Sequence, residues 1–204
     1  MSKLQVPSVQ PIPKFPVHTL GLGVFDGVHR GHHHIIQHCD AILTLDPHPD
    51  HVLGKQNELK RLSTVDELRS YCKQVLIFPF SEDVSHLSPQ DFLNEVILKQ
   101  INPQQLVVGY DYHYGYKKQG NIETLGPWCN ENKILLRHIE PFYFEGHLVK
   151  SAAIRKLLLE GHFDEGIRLL GHPYLMKGFV QEGEGRGRTL GFPTANLRLD
   201  PTKL

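Results

Sequence analysis

The sequence predicts an α/β fold built on a parallel sheet, and three observations carry that prediction. Short apolar runs of strand length alternate with segments of helical pattern, as in successive βαβ units. The runs are apolar throughout, as in strands covered on both faces. Directly after the first run stands Gly21-Leu22-Gly23-Val24-Phe25-Asp26-Gly27-Val28-His29-Arg30-Gly31-His32, a glycine-rich turn opening into a helix-like segment.

Residues 17–24 form the first expected strand, interrupted only by one His and one Thr. Residues 41–45 (AILTL), 75–78 (VLIF) and 105–108 read as further buried strands, and residues 135–139 as a weaker one. The segment between His32 and Leu45 is short for a crossover helix, because a βαβ connection commonly takes about a dozen residues. Residues 63–71 carry a helical pattern. Residues 88–100 carry a clearer one, with Ser88 as N-cap, Pro89 at the first helical position, and Phe92, Leu93, Val96 and Ile97 on one face. Ser151 is expected to cap a helix over 152–160 that Gly161 ends. A second helix over 162–170 is closed by Gly171, with Pro173 shortly after. Composition then changes: residues 174–182 look strand-like and residues 183–191 are glycine-rich and basic. The stretch after Pro173 is too short for its own core, since chains under about 40 residues usually need a staple or partner. The expected division is therefore 1–173 and 174–204.

Charge is balanced, with 22 Lys and Arg against 22 Asp and Glu, which argues against a nucleic-acid binder held by a broad basic face. No apolar run approaches the roughly 20 residues that cross a bilayer, and residues 1–15 lack the apolar core of a signal peptide. Cys39, Cys72 and Cys129 are odd in number and form no CxxC pair, so reduced thiols in a cytoplasmic protein are expected. Small molecules, and neither nucleic acid nor membrane, are the expected partners; oligomeric state is not legible.

The turn 21–32 is the candidate site. A strand feeding a glycine-rich turn and a helix N-terminus leaves several backbone N–H groups free for an anion, and two imidazoles there suit developing phosphate charge. His34 and His38 stand four apart, a spacing that fits zinc. However, no glutamate base lies between them and no third ligand is tied to the pair, so they read as helix-surface histidines and no metal ligands are assigned.

The motifs GVFDGVHRGH (23–32), LDPHP (45–49), RLST (61–64), FPFSEDVSHLSPQDF (78–92), VVGYDYHYG (107–115), SAAIR (151–155), LLGHPY (169–174) and GRGRTLGFPTAN (185–196) stand in one order. In that order the chain resembles the bacterial bifunctional riboflavin kinase/FMN adenylyltransferase (FAD synthetase) family.

The resemblance implies a Rossmann-like nucleotidyltransferase domain with a parallel sheet over 1–173, and the incomplete start of a riboflavin kinase β-barrel over 174–204. It implies transfer of AMP from ATP to FMN, giving FAD and pyrophosphate with Mg²⁺. His29 and His32 would be catalytic, on the ATP phosphates. Gly23, Phe25, Asp26, Gly27, Gly31, Ser151 and Arg155 would bind ATP, with Asp26 ordering the turn or an associated Mg²⁺. Asp111, Tyr112 and Tyr114 would form the flavin side, where aromatic faces suit a planar isoalloxazine. Thr194 and Asn196 fall on the PTAN motif of the kinase, a vestigial site here, and no riboflavin kinase activity is expected.

Departures from the family pattern leave a second reading open, a homologue that binds nucleotide or flavin without turnover. Val24 stands where the family usually has Asn, Ala152 and Ala153 replace hydroxyl residues, and Asn121 replaces an acid.

Overall fold

Five parallel strands lie at the centre of the molecule: β1 (Thr19–Leu22), β2 (Ala41–Asp46), β3 (Val75–Pro79), β4 (Gln105–Gly109) and β5 (Leu135–Ile139), in the order β3-β2-β1-β4-β5. The structure is a computed structural model and describes all residues except 1–5, 12, 14, 55–59, 184, 185, 190 and 193. Parts of the expected lead-in, of the 183–191 stretch, and Pro193 of the PTAN motif therefore lie outside the described residues. Every expected strand is present, although β1 is shorter than 17–24 and releases Gly23 and Val24 into the turn. The order reverses between β1 and its two neighbours, which is the switch point where sheets of this class gather ligands.

Strand alternation divides the core. Leu20, Leu22, Leu43, Leu76, Leu106 and Val108 face one layer, and Ile42, Val75 and Val107 face the other with Phe25, Val28, Ile35 and Ile36. Helix α1 (Arg30–Ile36) supplies Ile35 and Ile36, so the short crossover still covers its face of the sheet. Then come α2 (Pro49–Val52), α3 (Val65–Leu68), α4 (Glu82–Ser85) and α5 (Pro89–Asp91). The helix expected over 63–71 contracts to α3, capped reciprocally by Thr64 and Glu67 and followed by tight turns at Ser70 and Tyr71. Ser88 caps α5 as expected, and the same apolar face continues through Phe92–Ile101 in wider π-type turns that end at Asn102, φ 51°.

Two elements escaped the sequence pattern. Helix α6 (Ile122–Glu131) contains Gly126 and Pro127, which read as breakers. Its Asn121–Thr124 capping box and the burial of Leu125, Trp128 and Cys129 hold it together. A hairpin, β6 (Tyr143–Phe144) with β7 (His147–Leu148), turns on Glu145 and Gly146, both with positive φ.

Helices α7 (Ser151–Leu159) and α8 (Phe163–Leu170) pair against a third apolar cluster containing Leu62, Val149 and Ile154. The N-cap of α7 is Lys150, without a side-chain bond, and Ser151 is its first helical residue. The expected Ser151 cap is thus corrected: its hydroxyl is drawn to the Asp26 carbonyl instead. Strands β8 (Gly178–Gln181) and β9 (Asn196–Leu199) form a separate antiparallel ribbon with an exposed surface.

Candidate functional site

The turn after β1 is held in conformations that side chains rarely adopt. Phe25 (φ 55°) and Val28 (φ 44°) sit in the left-handed region, yet both side chains are fully buried, and that burial fixes the backbone. Gly27 has φ 89°, and a Cβ there would stand 2.8 Å from Leu62 Cδ1, so the turn and the 61–64 segment close over a glycine.

Asp26 anchors the turn from below. Its Oδ1 accepts from the N–H groups of Leu62 (2.8 Å) and Ser63 (3.0 Å), its Oδ2 receives the Arg155 guanidinium at 2.5 Å, and its carbonyl accepts the Ser151 hydroxyl at 2.7 Å. Arg155 also donates to the Lys60 carbonyl. Asp26 therefore binds both Ser151 and Arg155, and both oxygens of its carboxylate accept from protein donors. His172 adds a hydrogen bond from Nε2 to the Gly27 carbonyl at 3.0 Å.

His29 and His32 stand above this base. His29 caps α1, its Nδ1 accepting the His32 N–H at 3.2 Å, which leaves the proton of the neutral ring on Nε2. The two imidazoles stack with centroids 3.6 Å apart and planes 14° from parallel. Burial lowers the pKa of His29 to about 4, and burial with the neighbouring His29 and His33 holds His32 well below the usual range. Both are neutral donors near pH 7. Nδ1 of His32 is buried and has no hydrogen-bond partner, an unsatisfied atom at the edge of the open site.

A cavity of about 550 Å³ opens beside His32 at the carboxyl ends of β1–β4, lined among others by Gly23, Phe25, His48, Phe80, Asp111, Tyr112 and Tyr114. That volume suits a drug-sized or cofactor-sized molecule. Tyr112 and Tyr114 stack at 5.7 Å, and Tyr114 Oη pairs with Thr124 Oγ1 at 3.1 Å. Lys117 and Lys118 stand at the mouth, and Lys150 Nζ lies 3.7 Å from Asp111. A larger concavity of about 700 Å³, lined by Phe15, His18, Asp40 and Arg69, lies at the amino ends of the strands, away from the histidines and the turn.

The structure brings together the expected His29, His32, Gly23, Phe25, Asp26, Gly27, Gly31, Ser151 and Arg155 around one turn, with Asp111, Tyr112 and Tyr114 across the cavity. Thr194 and Asn196 are on or beside the exposed ribbon and do not line this cavity. His34 meets Phe142 at a tilt, with ring centroids 4.6 Å apart, and His33 meets Tyr71 and His172 edge-on. Sequence reasoning passed over His48 and His172. His48 is buried, its Nδ1 accepts the Asp50 N–H, and burial lowers its pKa. The LDPHP and LLGHPY motifs were the signals for both.

The FAD synthetase family model matches residues 14–153, and the riboflavin kinase family model matches residues 170–204. The bifunctional riboflavin kinase/FMN adenylyltransferase of Bacillus subtilis (strain 168) is 35% identical over 197 residues, covering 89% of this chain and 62% of that protein. Its namesake from Listeria monocytogenes is 32% identical with the same coverage, and that of Escherichia coli (strain K12) is 29% identical over 195 residues, covering 88% of this chain and 62% of that protein. The chain thus spans 62% of the length of these curated relatives. A solved structure described as a macrolide-efflux protein from Streptococcus pneumoniae superposes with a TM-score of 0.76 at 26% identity, covering 93% of this chain and 66% of that one. Among the described residues no helix is long and apolar enough to cross a membrane.

Proposed function

The chain belongs to the FAD synthetase family, and from that premise we propose that it transfers AMP from ATP to FMN, releasing pyrophosphate and forming FAD. The observation that carries the reading is the pair of stacked, neutral imidazoles, one with an unsatisfied nitrogen, between a strained phosphate-type turn and an aromatic cavity. A phosphate oxygen of FMN attacks the α-phosphorus of ATP while the bond to the bridging oxygen of pyrophosphate breaks. The nucleophile arrives already charged, so the protein supplies alignment and donors to the developing charge. His29 Nε2–H and His32 are the donors on this reading. Asp26, Ser151 and Arg155 hold the turn that aims them, and Tyr112 and Tyr114 offer faces to the isoalloxazine.

Mg²⁺ enters this reading with ATP, as counter-ion to its phosphates. Among the described residues no three His, Cys, Asp or Glu side chains converge to hold a metal, and the oxygens of Asp26 are already engaged, so no step is assigned to a protein-held ion. On the same reading residues 1–173 are the adenylyltransferase unit and 174–204 belong to a kinase unit. Thr194 and Asn196 are exposed, and no kinase step is assigned to them.

Val24 favours a second reading, binding without turnover. Its carbonyl is engaged by Thr44 Oγ1 at 2.9 Å, and its side chain offers the cavity no polar group. Incubating the polypeptide with FMN, ATP and Mg²⁺, and separately with riboflavin and ATP, then separating the flavins by chromatography, decides between them. FAD from the first mixture and no FMN from the second is expected. Absence of FAD across several divalent metals, with flavin fluorescence still quenched on binding, overturns the transferase reading in favour of the second.

A further inference from the structure

Lys203 is a buried lysine far along the chain from the turn it serves. Its side chain is 2% exposed and lies 3.1 Å from Oε2 of Glu67, itself 1% exposed. Its ammonium also donates to the Leu62 carbonyl and sits 3.9 Å from the centre of the Tyr174 ring. The same segment is stitched to the 60–62 strip by backbone bonds. Arg61 N–H donates to the Thr202 carbonyl at 2.6 Å and Leu204 N–H to the Arg61 carbonyl at 2.8 Å, while Lys60 Nζ reaches the Pro201 carbonyl at 2.7 Å. Tyr174 Oη closes the arrangement on the Leu204 carbonyl.

Both carboxylate oxygens of Glu67 are engaged by this arrangement. Oε2 accepts the Thr64 N–H at 2.9 Å beside Lys203, and Oε1 accepts the Lys177 N–H at 3.0 Å. A buried carboxylate that has lost its cation would be expensive to keep, because the partner charge is what offsets its lost hydration. The decisive geometry is at Leu62. Its carbonyl is held by Lys203 and its N–H by Asp26 of the phosphate turn, so one peptide segment is gripped from both sides. Lys203 lies in the stretch matched by the riboflavin kinase model, and Asp26 in that matched by the FAD synthetase model.

We propose that Lys203 is a positioning residue for the nucleotide turn: segment 200–204 clamps residues 60–62, and through the Leu62 and Ser63 amides it fixes Asp26 and the histidines above it. Its kinetic consequence rests on the adenylyltransferase reading, while its structural consequence does not. A shift of an ångström at a group that aims reacting atoms is enough to weaken catalysis markedly. The contacts at the flavin side, Tyr112 and Tyr114, do not pass through this clamp.

The test compares Lys203→Met with the parent chain by residue-resolved amide exchange and by steady-state kinetics. The Leu62 and Ser63 amides are expected to exchange at least tenfold faster with strands β1 and β4 unchanged, and KM for ATP to rise about tenfold while KM for FMN stays within twofold. Glu67→Gln, which keeps one of the two acceptor oxygens and removes the charge, is expected to move the same readouts in the same direction, and it carries both arms should Lys203→Met not fold. Parental exchange at Leu62 and Ser63 in a folded variant overturns the proposal, as does an equal rise in both KM values. A parent that makes no FAD removes the transferase reading, and the exchange arm then decides the clamp alone.

Discussion

Asp26, buried, and Arg155, partly buried and 129 residues away in sequence, form an ion pair that ties the turn after β1 to helix α7. Asp26 is also the acceptor for two backbone donors, so the pair closes a network that engages both carboxylate oxygens. Removing only the cation leaves a carboxylate in a dry site. Arg155→Met is expected to cost about 3–5 kcal/mol in urea unfolding, in keeping with broken buried pairs. The double variant Asp26→Asn/Arg155→Met should cost less than the sum of the single changes. Strict additivity would show that the two residues do not act as a pair.

The turn and its base were unequally legible in the sequence. The strands could be read because Leu, Ile and Val runs of that length have few other uses, and His29 and His32 because the motif around them is compact. Helix α6 was hidden because Gly126 and Pro127 have low local propensity, which the Asn121–Thr124 capping box and the burial of Leu125, Trp128 and Cys129 outweigh. Ser151 read as a cap because serine prefers that position, but a carbonyl 125 residues away competes better for its hydroxyl. The partners of Asp26 are 36, 37 and 129 residues distant, and no local spacing announces them.

Gly27 separates backbone strain from crowding. Gly27→Ala places a methyl against Leu62 and forces an L-residue to φ 89°, whereas Gly161→Ala at φ 85° meets nothing within 4 Å. The first is expected to cost about 2–3 kcal/mol and the second about 1 kcal/mol, the strain alone. Calorimetric melting of the two variants checks the difference. Equal losses would mean that the fit between the turn and Leu62 contributes nothing.

Stability should fall in mild acid. The folded pKa of His29 is about 4, and those of His32, His33 and His48 are also lowered, burial being the largest cause in each. The unfolded chain protonates these rings near pH 6.5, so below that pH it binds more protons than the folded one. The contribution of His29 is complete above about pH 7 and is lost as pH falls toward 4, at up to about 1.4 kcal/mol per unit, and the other three rings act in the same direction. Urea midpoints measured from pH 7.5 to 4.5 should decline along this course, and less steeply in His29→Asn. A flat profile would contradict neutral burial of these rings.

His29 has two tasks that one substitution can separate. Its Nδ1 caps α1, and its Nε2–H is the donor proposed for phosphate charge. Asparagine at this position keeps a good N-cap acceptor, so stability near neutral pH should stay within about 0.5 kcal/mol of the parent, while alanine loses the cap and about 1 kcal/mol. Asparagine does not place a donor where Nε2 stands, and loss of one preorganised donor typically costs about 10²–10³ in rate. His29→Asn is therefore expected to fold as the parent does and to form FAD at least a hundredfold more slowly, with KM for FMN little changed. Rapid-quench measurement of FAD formation at saturating ATP isolates that step. A His29→Asn enzyme with parental turnover would remove His29 from the chemistry and leave it only the cap.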